Sequence, residues 1–391
     1  MAPNELSSWI QKSLNDRYFG EKEIKFENSN GKTGGYLGSL LFGKIRGNNP
    51  DGESEDVDIV VKYGKKDDKE FLRIAFHREA MVYEKIVPLF MDLQRKKGIQ
   101  MPFDSVPKCY QTIENQNLEA IILEDMRKSG YRLHNRTIPM DLPHLKLILE
   151  NYAKWHALSF AVRDQNNGEL ESNKLTNVAR YYFRKDSTRK LLVKYTKYAH
   201  QILLEKNEHF LADTLERILQ KGVADTILEV LNSDVDECVI THGDGWNNNF
   251  LFKYEENNSN IPTKLAIIDW QLASLHSPAL DLSLLIYTSS SKTELSHFEE
   301  LLKFYHSTLT SFLKELGSNA EDIFSFSQLK EHWYRYSVFG FLWSLTFLRV
   351  VLSEDDGSPE EDMFDLIIKN KSDFDERLIA LVKHHFLFRF T

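Results

Sequence analysis

Two carboxylates and an amide define the chemistry open to this chain. Asp244 stands in the run His242-Gly-Asp244-Gly-Trp-Asn-Asn-Asn249-Phe-Leu-Phe, and Asp269 closes the apolar run Leu265-Ala-Ile-Ile-Asp269 farther along. The spacing predicts a strand delivering Asp244, a short polar loop, Asn249 just before a second strand, and Asp269 at the end of a third. Phosphoryl transfer needs such a set. One aspartate orients or deprotonates the attacking hydroxyl, while an asparagine and a second aspartate hold the Mg²⁺ that neutralises the phosphates of ATP. Taken singly, an aspartate beside glycine or a run of asparagines suits an ordinary turn. Their order and their flanking strands favour phosphoryl transfer, with Asp244, Asn249 and Asp269 at the reacting centre and Asn249 and Asp269 as the metal ligands.

ATP needs further contacts upstream. Lys62 ends the apolar run Val57-Asp-Ile-Val-Val-Lys62. A cation there fits the lysine that holds the α- and β-phosphates, although an edge strand would send the same residue into solvent. Burying a cation without a partner is costly, and Glu79, in Phe76-His-Arg-Glu79-Ala-Met-Val-Tyr83, is the partner offered by the next helix. Glu84 looks to another side of that helix. Gly31, Gly34, Gly35 and Gly38 could bring backbone N–H groups close to phosphate or could simply turn a hairpin. Their spacing is not GxGxxG and leaves both uses open. Gly31-Lys-Thr33 is not a Walker A loop, because the glycine needed five residues earlier is Phe26.

Other chemistries find less support. The sequence has no GxSxG elbow and no CxxC pair for structural zinc. His297, His306 and His332 lack metal-ligand spacing and read as core or surface residues, as do His384 and His385, whose adjacency places them on different faces of a helix.

The patterning also gives a scaffold for these residues. A helix is expected over 4–18. Strands follow at 24–26, across the glycine-rich stretch, and at 57–63, broken by turn residues. Apolar spacing then switches to a long helix over 69–97, followed by strands at 108–114 and 120–123. Beyond Met126 the chain reads as helical, over 145–162, 174–205, 207–232, 294–316 and 326–352. A strand island at 239–240, 250–254 and 265–268 interrupts it. Strands and helices do not alternate, so a doubly wound sheet is unsuitable. An α+β protein is expected instead: a small β-rich lobe with one long helix over 1–126, and a larger, mainly helical lobe over 127–391.

With these motifs in place, the chain resembles the ecdysteroid-kinase-like family, a branch of the protein-kinase-like fold that also holds the aminoglycoside and choline kinases. HGDxWxxN, then Ile-Asp-Trp-Gln at 268–271, then Asp281-Leu carry the resemblance, together with Leu123-Glu124-Asp125-Met126 and Ala153-Lys-Trp-His156-Ala157-Leu-Ser159. It spans about residues 30 to 290. The resemblance implies a bilobal fold with a small antiparallel β lobe, Asp244 as catalytic aspartate, Asn249 and Asp269 as Mg²⁺ ligands, and His242 as a structural histidine. It also implies Asp281 as a buried brace and adenine lying against the backbone of Glu124 to Met126. The implied acceptor is an ecdysteroid or a hydroxylated xenobiotic. Gly245 and Asn247 stand where the family usually has bulkier apolar residues, which bears on loop packing and on the acceptor pocket.

Composition fits a soluble enzyme. The 391 residues carry a net charge of −9, which gives no help toward nucleic acid. Two cysteines, Cys109 and Cys238, exclude a disulfide framework, so a reducing, cytoplasmic setting and a monomer are expected. Neither the N-terminus nor the apolar stretch 337–352, interrupted by Arg349, suits a leader or a membrane span. The aromatic residues Trp333, Tyr334, Tyr336, Phe339, Phe341, Trp343 and Phe347 could line an acceptor pocket or fill helix-packing core. A choline- or ethanolamine-kinase activity, or a catalytically silent ligand-binding protein, are the competing functions.

Overall fold

A computed structural model describes residues 23–27, 34–35, 38–48, 54–64, 70–114, 119–165, 175, 177–256, 258–353 and 366–387. The helix expected over 4–18 and Gly31 lie outside them.

The N-terminal part is an antiparallel sheet of strands β1 (Glu23–Phe26), β2 (Gly34–Gly35), β3 (Gly38–Asn48), β4 (Ser54–Gly64), β5 (Cys109–Glu114) and β6 (Glu119–Glu124), in the order β1-β3-β4-β6-β5 with β2 paired to β3. Period-two alternation sorts its residues to two faces. Val57, Ile59 and Val61 point to one face, where they bury against Ile24, Leu41, Ile45 and Ile122. Val60 and Lys62 point to the other, level with Leu123 and Ile121 across the β4–β6 pair. That second face meets helix α1 (Glu70–Met81), a π-helical turn over Val82–Ile86, and helix α2 (Val87–Lys97). The expected helix over 69–97 is therefore present, with one widened turn that shifts the register between its halves. β4 is an interior strand, so Lys62 is not the edge lysine that its position also allowed.

The rest is mainly helical around one large core. Its central member is helix α3 (Leu142–Gln165), buried over most of its length. Several expected helices occur as pairs. The 174–205 segment holds α4 (Ala179–Arg184) and α5 (Asp186–Glu205), and the 207–232 segment holds α6 (His209–Lys221) and α7 (Val223–Asn232). The second break falls at Gly222, whose φ of 103° no helix can accommodate. Two small sheets form the strand island. One is β10-β9-β7, from Asn258–Ile267, Phe250–Glu255 and Arg132–Leu133; the other is β11-β8, from Ser274–His276 and Val239–Thr241. Helix α8 (Ala279–Ser289) follows, then α9 (Lys292–Leu295), α10 (Phe298–Glu315), α11 (Ala320–Ile323), α12 (Phe326–Tyr336), α13 (Val338–Val351) and α14 (Lys371–Leu387).

The aromatic residues of α12 and α13 are core, except for the exposed Tyr334. His306 and His332 are core residues too, bonded to the Phe324 carbonyl and to Glu237 and Ser277 respectively. His384 and His385 are core residues as well, the first edge-on to Phe298 and the second stacked on Phe341. Tyr287 sits astride that ridge of α14, so both imidazoles reach its hydroxyl at 3.3 Å. Among the described residues no helix is long and apolar enough to cross a membrane.

Candidate active site

The site forms where the helix-facing side of the sheet meets the strand island. Lys62 projects from β4, and Nζ lies 2.5 Å from Glu79 Oε2 on α1 and 2.5 Å from Asp269 Oδ1 at the end of β10. Glu79 is almost wholly buried, whereas the Asp269 side chain keeps 28% of its exposure and so opens onto solvent. Burial alone would lower the ammonium's pKa, but the charges of Asp269 and Glu79 outweigh it and hold Lys62 protonated well above its ordinary range. Burial pushes the Glu79 carboxyl the other way, up to about 7, against the pull of Lys62. A second bridge fastens the same helix: His77 faces Glu114 at 3.3 Å and Glu119 at 3.8 Å on the β5–β6 hairpin.

Asp244 follows β8. It is buried, and burial with the nearby Asp269 charge raises its carboxyl to about 7, while hydrogen bonds from the Asn249 and Trp246 side chains work in the opposite direction. Asn249 Nδ2 donates to the Asp244 carbonyl at 2.8 Å and to Oδ2 at 3.0 Å. Both bonds use the nitrogen, which leaves the amide oxygen as the acceptor that a hard cation would need. The Ile268 N–H donates to the Asn249 carbonyl, so the register of the island sets Asn249 beside Asp269. An amide oxygen and a carboxylate that opens onto solvent match the preference of Mg²⁺ for a few protein ligands plus substrate. The donor set fits the expected metal.

Asp269 has a left-handed backbone, φ 67° and ψ 62°. Aspartate tolerates that region better than most residues. Here it turns the chain sharply out of β10, so that the carboxylate faces Lys62 and not the sheet.

Beneath the loop lies a fully buried carboxylate, Asp281, at the start of α8. Its Oδ2 accepts from the His242 N–H at 2.7 Å and its Oδ1 from the Gly243 N–H at 2.8 Å. His156 Nε2 donates to it at 3.1 Å, while His156 Nδ1 meets the Tyr305 hydroxyl at 2.8 Å. The His242 ring is held neutral by burial. Its Nε2–H donates to the Ile268 carbonyl and its Nδ1 accepts from the Asp244 N–H, so one imidazole ties the two carboxylate-bearing segments together. Gly243 has φ 80°, and a Cβ there would lie 2.5 Å from the Leu272 carbonyl oxygen. Only glycine fits.

The fold thus brings Lys62, Glu79, Asp244, Asn249 and Asp269 into one neighbourhood. Gly34 and Gly35 form the short β2 strand against β3, and Glu124 to Met126 leave β6 where the sheet gives way to helices. The Met126 carbonyl already accepts from the Ser129 and Tyr131 N–H groups, so an adenine contact at this segment would use its other backbone groups. Sequence reading missed Trp246 as a donor to Asp244, and Tyr152 under the loop. The tryptophan's place in the HGDxW run was the available signal.

The ecdysteroid kinase-like family profile matches residues 32–318. No curated protein matches the chain.

Proposed function

The chain belongs to the ecdysteroid kinase-like family, and we propose that it transfers the γ-phosphate of ATP to a hydroxyl group of a small molecule. The observation that carries this reading is the three-way contact of Lys62 with Glu79 and Asp269, beside a buried aspartate held by Asn249. In this reading the protein is bilobal, with residues 1–126 as the nucleotide lobe and 127–391 as the catalytic and acceptor lobe, and ATP lies between them.

Lys62 would hold the α- and β-phosphates, braced by Glu79, with Gly34 and Gly35 near the phosphates and the Glu124–Met126 backbone against adenine. Asn249, through its amide oxygen, and Asp269 would hold Mg²⁺, which supplies charge neutralisation at the phosphates when bound. Asn249 Nδ2 can keep its bonds to Asp244 at the same time, so metal binding and orientation of Asp244 are compatible. Asp244 would accept a hydrogen bond from the acceptor hydroxyl and align it for in-line attack. A carboxyl raised to about 7 is basic enough to take the proton as the bond forms.

The acceptor proposed is an ecdysteroid or another hydroxylated apolar molecule. The family assignment supports it. The test is Mg²⁺-dependent ATP consumption across ecdysteroids, hydroxylated xenobiotics, choline and ethanolamine, with phosphorylated products identified by mass. A steroid phosphate supports the proposal, phosphocholine would move the acceptor class, and ATP binding without any product would favour a silent ligand-binding protein.

A further inference from the structure

The Asp244 loop is held from below by a tyrosine that the mechanism does not use. Tyr152 lies at the middle of α3, fully buried. Its ring is boxed by aromatic neighbours: stacked on His156 at 5.6 Å, tilted to His242 at 6.4 Å and edge-on to Phe250 at 6.0 Å. Two of these neighbours are themselves anchored, His156 to Asp281 and His242 to the Ile268 carbonyl. The ring therefore has nowhere to swing. Its hydroxyl is buried and has no hydrogen-bond partner among the described residues, a costly state that needs a reason.

Gly245 supplies one. A Cβ built on Gly245 would lie 2.5 Å from Tyr152 Oη, while the next nearest atoms, Cζ and Cε2, would be at ordinary contact distances of 3.5 and 3.7 Å. The clash is with the hydroxyl oxygen alone. Oη occupies the space that the first carbon of any side chain at 245 would take, against the backbone of the residue that follows Asp244. A shift at 245 passes directly to Asp244, because the Trp246 N–H is bonded to the Asp244 carbonyl and the Asn249 N–H to the Trp246 carbonyl.

We infer that Tyr152 is a positioning residue for Asp244: its hydroxyl sets how far the loop descends toward α3, and glycine at 245 is what lets the loop rest on it. The functional part of this inference depends on the kinase reading. The steric part does not.

The experiment is a double-mutant cycle on the full chain with Gly245→Ala, Tyr152→Phe and the pair, read by thermal melting and by kcat and KM for ATP. Gly245→Ala must lift the loop by a good fraction of an ångström, which should cost about 10²-fold in kcat with KM for ATP unchanged, and should lower the melting temperature. Removing the hydroxyl leaves room for the new methyl, so adding Tyr152→Phe should return most of both losses. A residue with a merely structural role would shift stability without the split between kcat and KM. Wild-type kcat in Gly245→Ala, or a deficit that persists in the pair, would overturn the inference. If the wild-type chain phosphorylates no acceptor, the kinase reading fails separately. The melting cycle then decides the steric claim: coupling supports it, and additivity overturns it.

Discussion

Lys62 and Asp269 are 207 positions apart in the chain, yet Lys62 Nζ lies 2.5 Å from Asp269 Oδ1. The contact joins the N-terminal sheet to the strand island, and on the proposed reading it puts a cation and a carboxylate where phosphates and their metal would meet. The lysine compensates two carboxylates at once.

Removing that cation should therefore be felt before any chemistry is tested. In Lys62→Met, Glu79 is left buried beside the Asp269 charge. Glu79 can respond by taking up a proton, and Asp269 is partly solvated, so the loss should be about 2–3 kcal/mol. Urea melts of the nucleotide-free protein check the size. The loss should shrink from pH 8 to pH 5, as protonation relieves Glu79. A loss that grows on acidification would contradict this account of the pair.

Asp244 gives a second pH-dependent expectation. Its carboxyl is raised to about 7 in the folded chain from an ordinary value of 3.8. A group raised in this way contributes stability that is fully present below its unfolded pKa and is lost as pH rises through the folded one. Asp244→Asn is neutral throughout. The variant should accordingly be more stable than wild type at pH 8 by a few kcal/mol, with the difference fading between pH 7 and pH 4. Melting curves in the presence of chelator, free of metal and nucleotide, measure this directly.

The brace beneath the loop should be sensitive to a change of one atom. Asp281→Asn keeps a single acceptor oxygen where two backbone N–H groups and His156 now converge. One N–H then faces an amide NH₂. The expected cost is roughly 3 kcal/mol of stability, with turnover reduced far more than ATP affinity, because the Lys62 contacts are untouched. Isothermal titration with Mg·ATP and a kcat measurement separate the two effects.

Much of this arrangement was legible in the sequence because its signals are local. The apolar run ending at Lys62 marked a strand carrying a cation in need of a partner, and the next helix offered Glu79. The glycine, aspartate and asparagine of the HGD run marked a tight loop between strands. What was not legible depends on contacts across the fold. Nothing near Tyr152 in the chain announces that its hydroxyl fills the side-chain space of Gly245, and glycine there read only as a departure from the family pattern. β7 and β11 are too short to carry a period, and they exist because β9 and β8 offer them partners. The widened turn over Val82–Ile86 and the left-handed backbone of Asp269 are fitted to the site by packing, and local propensity carries no sign of either.

The central claim is that Asp244 prepares the acceptor hydroxyl while other residues hold the nucleotide. The most direct measurement compares wild type with Asp244→Asn for Mg·ATP affinity and for formation of phosphorylated product from the best acceptor. The account predicts affinity within about twofold and product formation lower by roughly 10²–10⁴-fold, the usual contribution of a positioned acid–base group. Equal product formation by the two proteins would contradict it.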